Sequence, residues 1–288
     1  MEIVTEFFLT QGIQVCLFLI MVCLGLSLSL EDLIQAMANP KALFFGLVGQ
    51  LALLPILAFV IVILFEPDPV VGIGLVLLAA CPGGVTSNAY VLVSRGDVAL
   101  SVALTAISSL LTVLTMPLLT TAAFQFLGDQ DVQFEVPVNT LMISLIKLTV
   151  IPIAVGLILR ARFPKYAEKI KEPARKVAFV LLITVVIGST LSSFDVLLAN
   201  ILEIGFLALT LNVAALLMGY GIARFIKLSH AGTVSLTFEI GVQNLSLVLT
   251  LAMAILQLPE YAVFALVYAL SMKVTALTLV GIWQKKVS

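Results

Sequence analysis

Long apolar segments, separated by short charged or turn-forming stretches, run through the whole chain. Each segment has roughly 20 residues, the length that an α-helix needs to cross a bilayer core. The breaks are rich in turn formers, as at residues 66–69, 95–97 and 258–260. The pattern predicts an all-α polytopic membrane protein with nine transmembrane helices. Their approximate bounds are 5–29, 41–65, 71–93, 98–124, 138–160, 177–194, 202–223, 231–256 and 261–284.

Composition supports a chain whose solvent is lipid. Hydrophobic residues make up 61% and charged residues 11% of the 288, whereas a soluble domain has about 25% charged residues. We therefore expect residues 1–288 to form a single membrane unit. The net charge of −1 gives no attraction to nucleic acid. Cys16, Cys23 and Cys81 lie in apolar segments without metal-ligand spacing, so no transition metal is expected.

Basic residues are distributed unevenly between the two sides of the predicted bundle. If the breaks are assigned alternately to two sides, 13 of the 15 Lys and Arg residues fall on one side and none on the other. The positive-inside rule makes the basic side cytoplasmic, so the N-terminus is predicted periplasmic and the C-terminus cytoplasmic. Residues 160–176 are predicted to form a basic cytoplasmic loop. No transit segment precedes the first apolar segment, which favours a bacterial inner membrane.

Two predicted helices contain interruptions near mid-depth. In the third helix, at residues 80–88, a proline and paired glycines oppose helix formation. In the eighth, residues 238–244 include Glu239, a glycine and two carboxamides. A charge at the bilayer centre costs about 2.5–3.5 kcal/mol, and oxygen-rich helix breaks are typical of cation sites in inverted-repeat transporters. The pattern indicates a hard cation such as Na⁺. The simpler alternative is a proline kink whose polar residues bond neighbouring helices.

At these positions the sequence resembles the bile acid:sodium symporter family, through residues 80–88, 95–103 and 238–244. The resemblance implies two inverted repeats, two crossed broken helices, and a substrate bound between a helical panel and a core. Relative to the family's ten-helix pattern, this chain lacks the first helix. The implied panel contains the helices at about 5–29, 138–160 and 177–194. The implied core contains those at about 41–65, 71–93, 98–124, 202–223, 231–256 and 261–284.

The same resemblance implies two sodium sites, with Na⁺ as the coupling ion and no organic cofactor. Residues matching the first site are Ser87, Asn88, Ser101, Thr105 and Glu239. Residues matching the second site are Gln50, Glu239, Ile240, Val242 and Gln243. Ser101 and Thr105 are four residues apart and so share one helical face. Each side-chain ligand position holds the residue type that the family uses.

The substrate region departs from the family pattern. The candidate substrate-binding residues are Val85, Thr86, Asn244, Met272 and Lys273. Lys273 falls near the middle of the last predicted helix, and three roles are open for it. It could pair with Glu239 when sodium is absent and bind an anionic substrate once sodium has bound. Alternatively, it could replace a cation, or it could bond backbone carbonyls without any role in transport. Lys147, in the fifth predicted helix, is interpreted as structural or interfacial.

The sequence therefore predicts a sodium-coupled symporter that imports a small organic anion, either bile-acid-like or a carboxylate such as a keto acid or pantothenate-like acid. One alternative is a cation/proton antiporter with Glu239 as proton carrier, and another is a non-transporting membrane receptor. An enzyme is not expected, because the only histidine, His230, lies in a predicted loop and no paired carboxylates occur in the predicted helices. The oligomeric state and the substrate do not follow from the sequence.

Overall fold

Helices occupy most of the chain, as the hydrophobic pattern predicts. The computed structural model of the protein describes residues 2–128, 135–192 and 194–287, so residue 193 of the sixth predicted span lies outside the described residues. The α-helices are α1 Glu2–Ser27, α2 Leu30–Met37, α3 Pro40–Val48, α4 Leu54–Phe65, α5 Pro69–Ala79, α6 Val85–Val93, α7 Val98–Leu127, α8 Val138–Leu145, α9 Ile151–Arg162, α10 Pro164–Ser192, α11 Phe194–Phe225, α12 His230–Gly241, α13 Leu245–Leu249 and α14 Val263–Val287.

Five of the described helices are long and apolar enough to cross a membrane. They are Pro40–Phe65, Val98–Leu127, Val138–Arg162, Ile201–Phe225 and Pro259–Gln284. Shorter apolar helices occupy Gln11–Ser27, Pro69–Ala79 and Leu245–Ile255. These lengths and compositions support a polytopic membrane protein, whereas the number of nine crossings stays a prediction.

The basic segment at residues 160–176 is helical, so the prediction of a loop there is wrong for most of its length, whereas its cytoplasmic location stays a prediction. Helix α9 continues to Arg162 and α10 begins at Pro164. A proline is well tolerated at the first helical position, because that position needs no backbone donor. The exposed ion pair between Arg160 and Glu168, at 2.7 Å, bridges the turn between these helices. The charges thus lie on the surface of a helical segment.

Three wide π-helical turns interrupt the helices at Gly49–Leu53, Ile146–Val150 and Thr250–Ile255. The first two are followed closely by Pro55 and Pro152. Because a proline has no N–H and clashes with the carbonyl four residues earlier, the preceding turn opens to accommodate it. The local sequence therefore explains two of the three wide turns.

Two groups of helices pack closely together. Helix α1 packs against α9 and α10, while α11 packs against α12 and α14. Helix α2, a short helix within a predicted break, packs against α7. Helix α12 also contacts α6 and α7 and is buried from Gly232 to Gly241. This buries the second helix interruption among helices from both halves of the chain.

Candidate cation site at the crossing of two broken helices

Both predicted interruptions are present, and they cross each other. Helix α5 ends at Ala79 before α6 begins at Val85, and α12 ends at Gly241 before α13 begins at Leu245. In the crossing, the backbone N–H of Gly84 donates to the Val242 carbonyl at 2.7 Å, and that of Asn244 donates to the Pro82 carbonyl at 3.1 Å. Unwound backbone at membrane depth is stable only where protein or water satisfies it. Here each interruption supplies hydrogen-bond partners for the other.

The paired glycines permit this close approach. A Cβ added at Gly83 would overlap the Glu239 carboxylate, with the carboxyl carbon only 2.7 Å away. A Cβ added at Gly84 would lie 2.6 Å from the Gln243 carbonyl oxygen, on the opposite interruption. Both distances are well below van der Waals contact. The Gly-Gly pair is therefore required by the crossing itself.

Three hydroxyl groups surround the carboxylate of Glu239, which is buried. Ser87 and Ser101 donate to Oε2 at 2.9 and 3.1 Å, and Thr105 donates to Oε1 at 2.7 Å. The Ser101 hydroxyl also lies 2.7 Å from Oδ1 of Asn88. The structure thus brings together all five residues predicted for the first sodium site. They come from α6, α7 and α12, so the cluster joins three helices.

The residues predicted for the second sodium site form an adjacent cluster of amides and carbonyls. Gln50 Nε2 donates to the Cys81 carbonyl and to Oε1 of Gln243, both at 2.8 Å, while Gln243 Nε2 donates to the Ile240 carbonyl at 2.6 Å. Oε1 of Gln50 is buried and has no hydrogen-bond partner among the described residues. An unpaired buried acceptor is costly unless a donor or cation meets it. The cluster therefore fits a bound cation.

The predicted carbonyl ligand Val242 has a second role. Its oxygen accepts the hydrogen bond from Gly84 that holds the crossing together. A carbonyl oxygen has two lone pairs, so this bond leaves one available. The backbone that would bind the ion is thus the same backbone that joins the two interruptions.

A buried network behind the second interruption includes residues that the sequence reasoning missed. Asn212 of α11 donates through Nδ2 to the Gly241 carbonyl at 2.9 Å and also contacts the Tyr268 hydroxyl at 3.1 Å. Tyr268 donates to the same Gly241 carbonyl at 2.9 Å, and Thr275 donates to Oδ1 of Asn212. The last carbonyls of a helix lack intrahelical partners, and this network satisfies one. An isolated asparagine in an otherwise apolar segment is the signal that would have identified it.

Comparison with known proteins identifies the family. The sequence profile described as the Sodium Bile acid symporter family matches residues 14–200. The chain belongs to the Sodium Bile acid symporter family. It is 30% identical over 268 residues to the "Probable sodium/metabolite cotransporter BASS1, chloroplastic" of Arabidopsis thaliana, covering 92% of this chain and 65% of that one.

Two further proteins that are similar to this chain come from a bacterium and a mammal. The "Uncharacterized sodium-dependent transporter YocS" of Bacillus subtilis is 27% identical, covering 97% of this chain and 85% of that one. The "Hepatic sodium/bile acid cotransporter" of Rattus norvegicus is 28% identical, covering 82% and 65%. The chain therefore spans about two thirds of the plant and rat proteins. These relatives are named as transporters, in agreement with the prediction of a transporter rather than an enzyme.

The candidate substrate-binding residues differ in how deeply they are buried. Asn244 is buried and caps α13, accepting the Leu247 N–H at 3.2 Å through Oδ1, while its Nδ2 has no partner in the described chain. Val85 is half-buried and Thr86 is exposed, at the start of α6. Met272 is buried on α14. Val85, Thr86 and Asn244 border the crossing, so they remain candidates for contact with a substrate there.

The expected pairing of Lys273 with Glu239 is not found. Lys273 is exposed whereas Glu239 is buried, and the described part of the chain contains no ion pair between them. Because adjacent helical residues point about 100° apart, the buried Met272 directs its neighbour Lys273 away from the interior. The carboxylate is thus held by hydroxyl groups rather than by an ammonium group in this conformation.

Proposed function

We propose that this protein is a sodium-coupled symporter that imports a small organic anion by alternating access. The observation that carries the proposal is the buried Glu239 carboxylate, surrounded by hydroxyl groups and without a basic partner in the described residues. A buried charge requires a compensating charge or a proton. Hydroxyl, amide and carbonyl oxygens around a single carboxylate are ligands that suit a hard monovalent cation.

The two proposed ion sites share Glu239. The first comprises Ser87, Asn88, Ser101, Thr105 and Glu239, and the second comprises Gln50, Glu239, Ile240, Val242 and Gln243. A hydroxyl group carries two acceptor lone pairs beside its proton. The side chains that now donate to Glu239 can therefore also offer oxygen to Na⁺, while the carboxylate supplies the negative charge.

Coupling follows from the elements that the proposed ligands connect. Ser87 lies on α6, Thr105 on α7 and Glu239 on α12, so an ion held by all three stabilises the crossing. The substrate candidates Val85 and Asn244 directly flank the crossing. Sodium binding would thereby favour substrate binding, and by linkage the substrate would favour sodium binding to the same extent.

The substrate class is proposed from charge and from the relatives together. The rat relative is named for bile acid and the plant relative for an unspecified metabolite. Helix α6 begins at Val85 beside the crossing without a side-chain cap, and a helix N-terminus favours anions. We propose a carboxylate of modest size, such as a keto acid or a pantothenate-like acid.

The membrane arrangement is part of the same proposal. Nine crossings in two inverted repeats, lacking the first helix of a ten-helix pattern, would give a three-helix panel and a six-helix core. The strong basic bias supports a periplasmic N-terminus and a cytoplasmic C-terminus. A bacterial inner membrane is the proposed location, which the similarity of 97% of this chain to a Bacillus subtilis protein supports.

The test uses purified protein in detergent, with thermal stability measured as NaCl replaces KCl at constant ionic strength. We expect Na⁺ to raise the melting temperature of the parent, because a ligand stabilises the state that binds it. Glu239→Gln should lose this response, whereas Glu172→Gln, which changes an exposed carboxylate on α10, should keep it. A sodium response that survives in Glu239→Gln would contradict the proposal.

Transport is tested in proteoliposomes with an inward sodium gradient. Sodium-driven uptake of a carboxylate supports symport. If the protein instead exchanges Na⁺ for protons without any organic substrate, and Glu239→Gln abolishes that exchange, the protein is a cation/proton antiporter.

A further inference from the structure

The carbonyl group of Gly241, at the end of α12, receives two hydrogen bonds from neighbouring helices. Asn212 of α11 donates to it through Nδ2 at 2.9 Å, and the hydroxyl of Tyr268 on α14 donates to it at 2.9 Å. A carbonyl oxygen has two lone pairs, so both are occupied. The Gly241 oxygen is therefore unavailable to an ion, although the oxygens of its chain neighbours Ile240 and Val242 are candidate ligands.

The hydrogen bonds of this network all run in one consistent direction. The two N–H bonds of the Asn212 amide are directed to the Gly241 carbonyl and to the Tyr268 oxygen, at 2.9 and 3.1 Å. The Thr275 hydroxyl donates to Oδ1 of Asn212 at 2.5 Å, which is closer than the carbonyls of its own helix. Turning the amide over would place its oxygen against the Gly241 carbonyl, an acceptor against an acceptor. Thr275 thus supports the one amide orientation that holds this carbonyl.

Close packing of α11 does not by itself require this amide. Asn212 is fully buried, and it is the only buried polar side chain described on α11. Ala208 and Ala215 lie one turn before and after it, on the same helical face, and small residues of this kind are enough for helices to approach closely. A buried amide costs about 1–3 kcal/mol unless it is paired. Its task is therefore better explained by the carbonyl that it holds than by helix association.

Packing from α11 also restrains the backbone of Gly241. A Cβ added at this glycine would overlap the side chain of Leu216. Leu216 follows Asn212 by four residues and so shares its helical face. The same face of α11 therefore holds Gly241 in two ways, by a hydrogen bond to its carbonyl and by contact at its Cα.

The restraint on Gly241 extends to the carbonyl groups on either side of it. Consecutive planar peptide groups are joined by only two rotatable dihedrals, so fixing one group limits the directions of its neighbours. The Val242 oxygen accepts the Gly84 N–H at 2.7 Å. The Ile240 oxygen accepts from Gln243 Nε2 at 2.6 Å. Release of the Gly241 carbonyl would allow both oxygens to turn away from the polar cluster that they join.

We propose that Asn212, Tyr268 and Thr275 are positioning residues for the proposed sodium sites. They hold the Gly241 carbonyl in the direction of α11 and α14, and thereby keep the two neighbouring carbonyl oxygens directed toward the ion. They set the sodium affinity without contacting the ion. Loss of such outer hydrogen bonds weakens metal binding about 10- to 100-fold in other proteins. The inference rests on the proposed sodium-coupled function, and it assigns a part in that function to two helices that supply no proposed sodium ligand.

The test measures Na⁺ binding to the full purified chain by isothermal titration calorimetry, at one temperature and with KCl keeping the ionic strength constant. Tyr268→Phe removes one donor to Gly241 with little change of shape, and should weaken Na⁺ binding about tenfold or more. Thr275→Val should also weaken it, whereas Thr275→Ser, which keeps the hydroxyl, should bind Na⁺ as the parent does. Tyr220→Phe, which removes an exposed hydroxyl on α11, is the matched control and should leave the affinity unchanged.

A further control separates positioning from general stability. Ile153→Ala creates a cavity at a buried position of α9, a helix that packs mainly against α1 and α10. It should lower the melting temperature in KCl, because the cavity removes packing contacts, and it should leave Na⁺ affinity unchanged. If Ile153→Ala weakens Na⁺ binding as much as Tyr268→Phe does, the inference is overturned, because loss of stability alone then explains the effect.

Failure of this inference can be distinguished from failure of the proposed function. If the parent binds no Na⁺, both are rejected together. If the parent binds Na⁺ and both Tyr268→Phe and Thr275→Val bind it as tightly, only the inference is overturned and the proposed sodium sites stand. Should Tyr268→Phe fail to fold, the Thr275 pair decides, and equal Na⁺ affinity of Thr275→Val and Thr275→Ser overturns the inference.

Discussion

The substitution Gly83→Ala tests the geometry of the crossing with a single methyl group. The added Cβ would lie 2.7 Å from the carboxyl carbon of Glu239, whereas ordinary contact begins near 3.4 Å. Because Oε1 lies closer still, the carboxyl group must retreat by at least about 0.7 Å, the difference between these distances for the carboxyl carbon. The hydrogen bonds that it accepts are only 2.7–3.1 Å long, so a movement of this size disrupts them.

The donors cannot all follow the displaced carboxylate. Ser87 lies on α6, whereas Ser101 and Thr105 lie on α7, and both helices are packed against α12. Loss of one hydrogen bond to a charged group costs about 1.5–3 kcal/mol. At 1.4 kcal/mol per factor of ten, sodium binding should weaken about 10- to 100-fold.

The assay is a sodium titration of melting temperature at constant ionic strength, with K⁺ as the replacing ion. Gly281→Ala is the matched control, because a Cβ added there meets no atom within 4 Å. Circular dichroism confirms that both variants keep their helical content. If folded Gly83→Ala needs no more Na⁺ for half-maximal stabilisation than Gly281→Ala does, the close contact between Gly83 and Glu239 is not part of an ion site.

Two further substitutions probe the neighbouring contacts. Thr105→Val removes the 2.7 Å hydrogen bond to Glu239 with little change of shape, and should weaken sodium binding about 10- to 100-fold in the same titration. The buried Thr112, which bonds only a carbonyl of its own helix, provides the control Thr112→Val, and equal sodium affinity of the two variants would refute the assignment. Asn212→Ala should lower the free energy of unfolding by about 1–3 kcal/mol even without Na⁺, because it removes the buried donor to Gly241. Thermal unfolding in KCl measures this effect, and a melting temperature equal to that of the parent would show that the Tyr268 hydroxyl alone satisfies the carbonyl.

Local sequence was sufficient to predict that the chain is largely helical and that two helices are interrupted. The Pro-Gly-Gly sequence at residues 82–84 opposes helix formation wherever it lies, and so it predicted a break that the structure contains. The same kind of local reasoning gave a wrong prediction at residues 160–176. There, the run of basic residues indicated a loop, but Pro164 occupies a helix start and α10 continues through Pro173.

The candidate ion cluster was predicted from residue types matched to a family pattern, not from local chemistry alone. Ser87, Ser101 and Glu239 are separated by up to 152 residues, yet their side chains meet within hydrogen-bond distance. No periodicity in the sequence reports such proximity. The family resemblance provided the grouping, and the structure provided the contacts and distances.

Sequence by itself determined that this chain is helical, apolar and interrupted twice, because those properties depend on each residue and its near neighbours. Tertiary structure alone decided that the interruptions hydrogen-bond to each other, that Asn212 supports one of them, and that Lys147 and Lys273 are both exposed. The physical reason is that burial and pairing depend on which helices become neighbours. That outcome is set by packing across the whole chain rather than by any single segment.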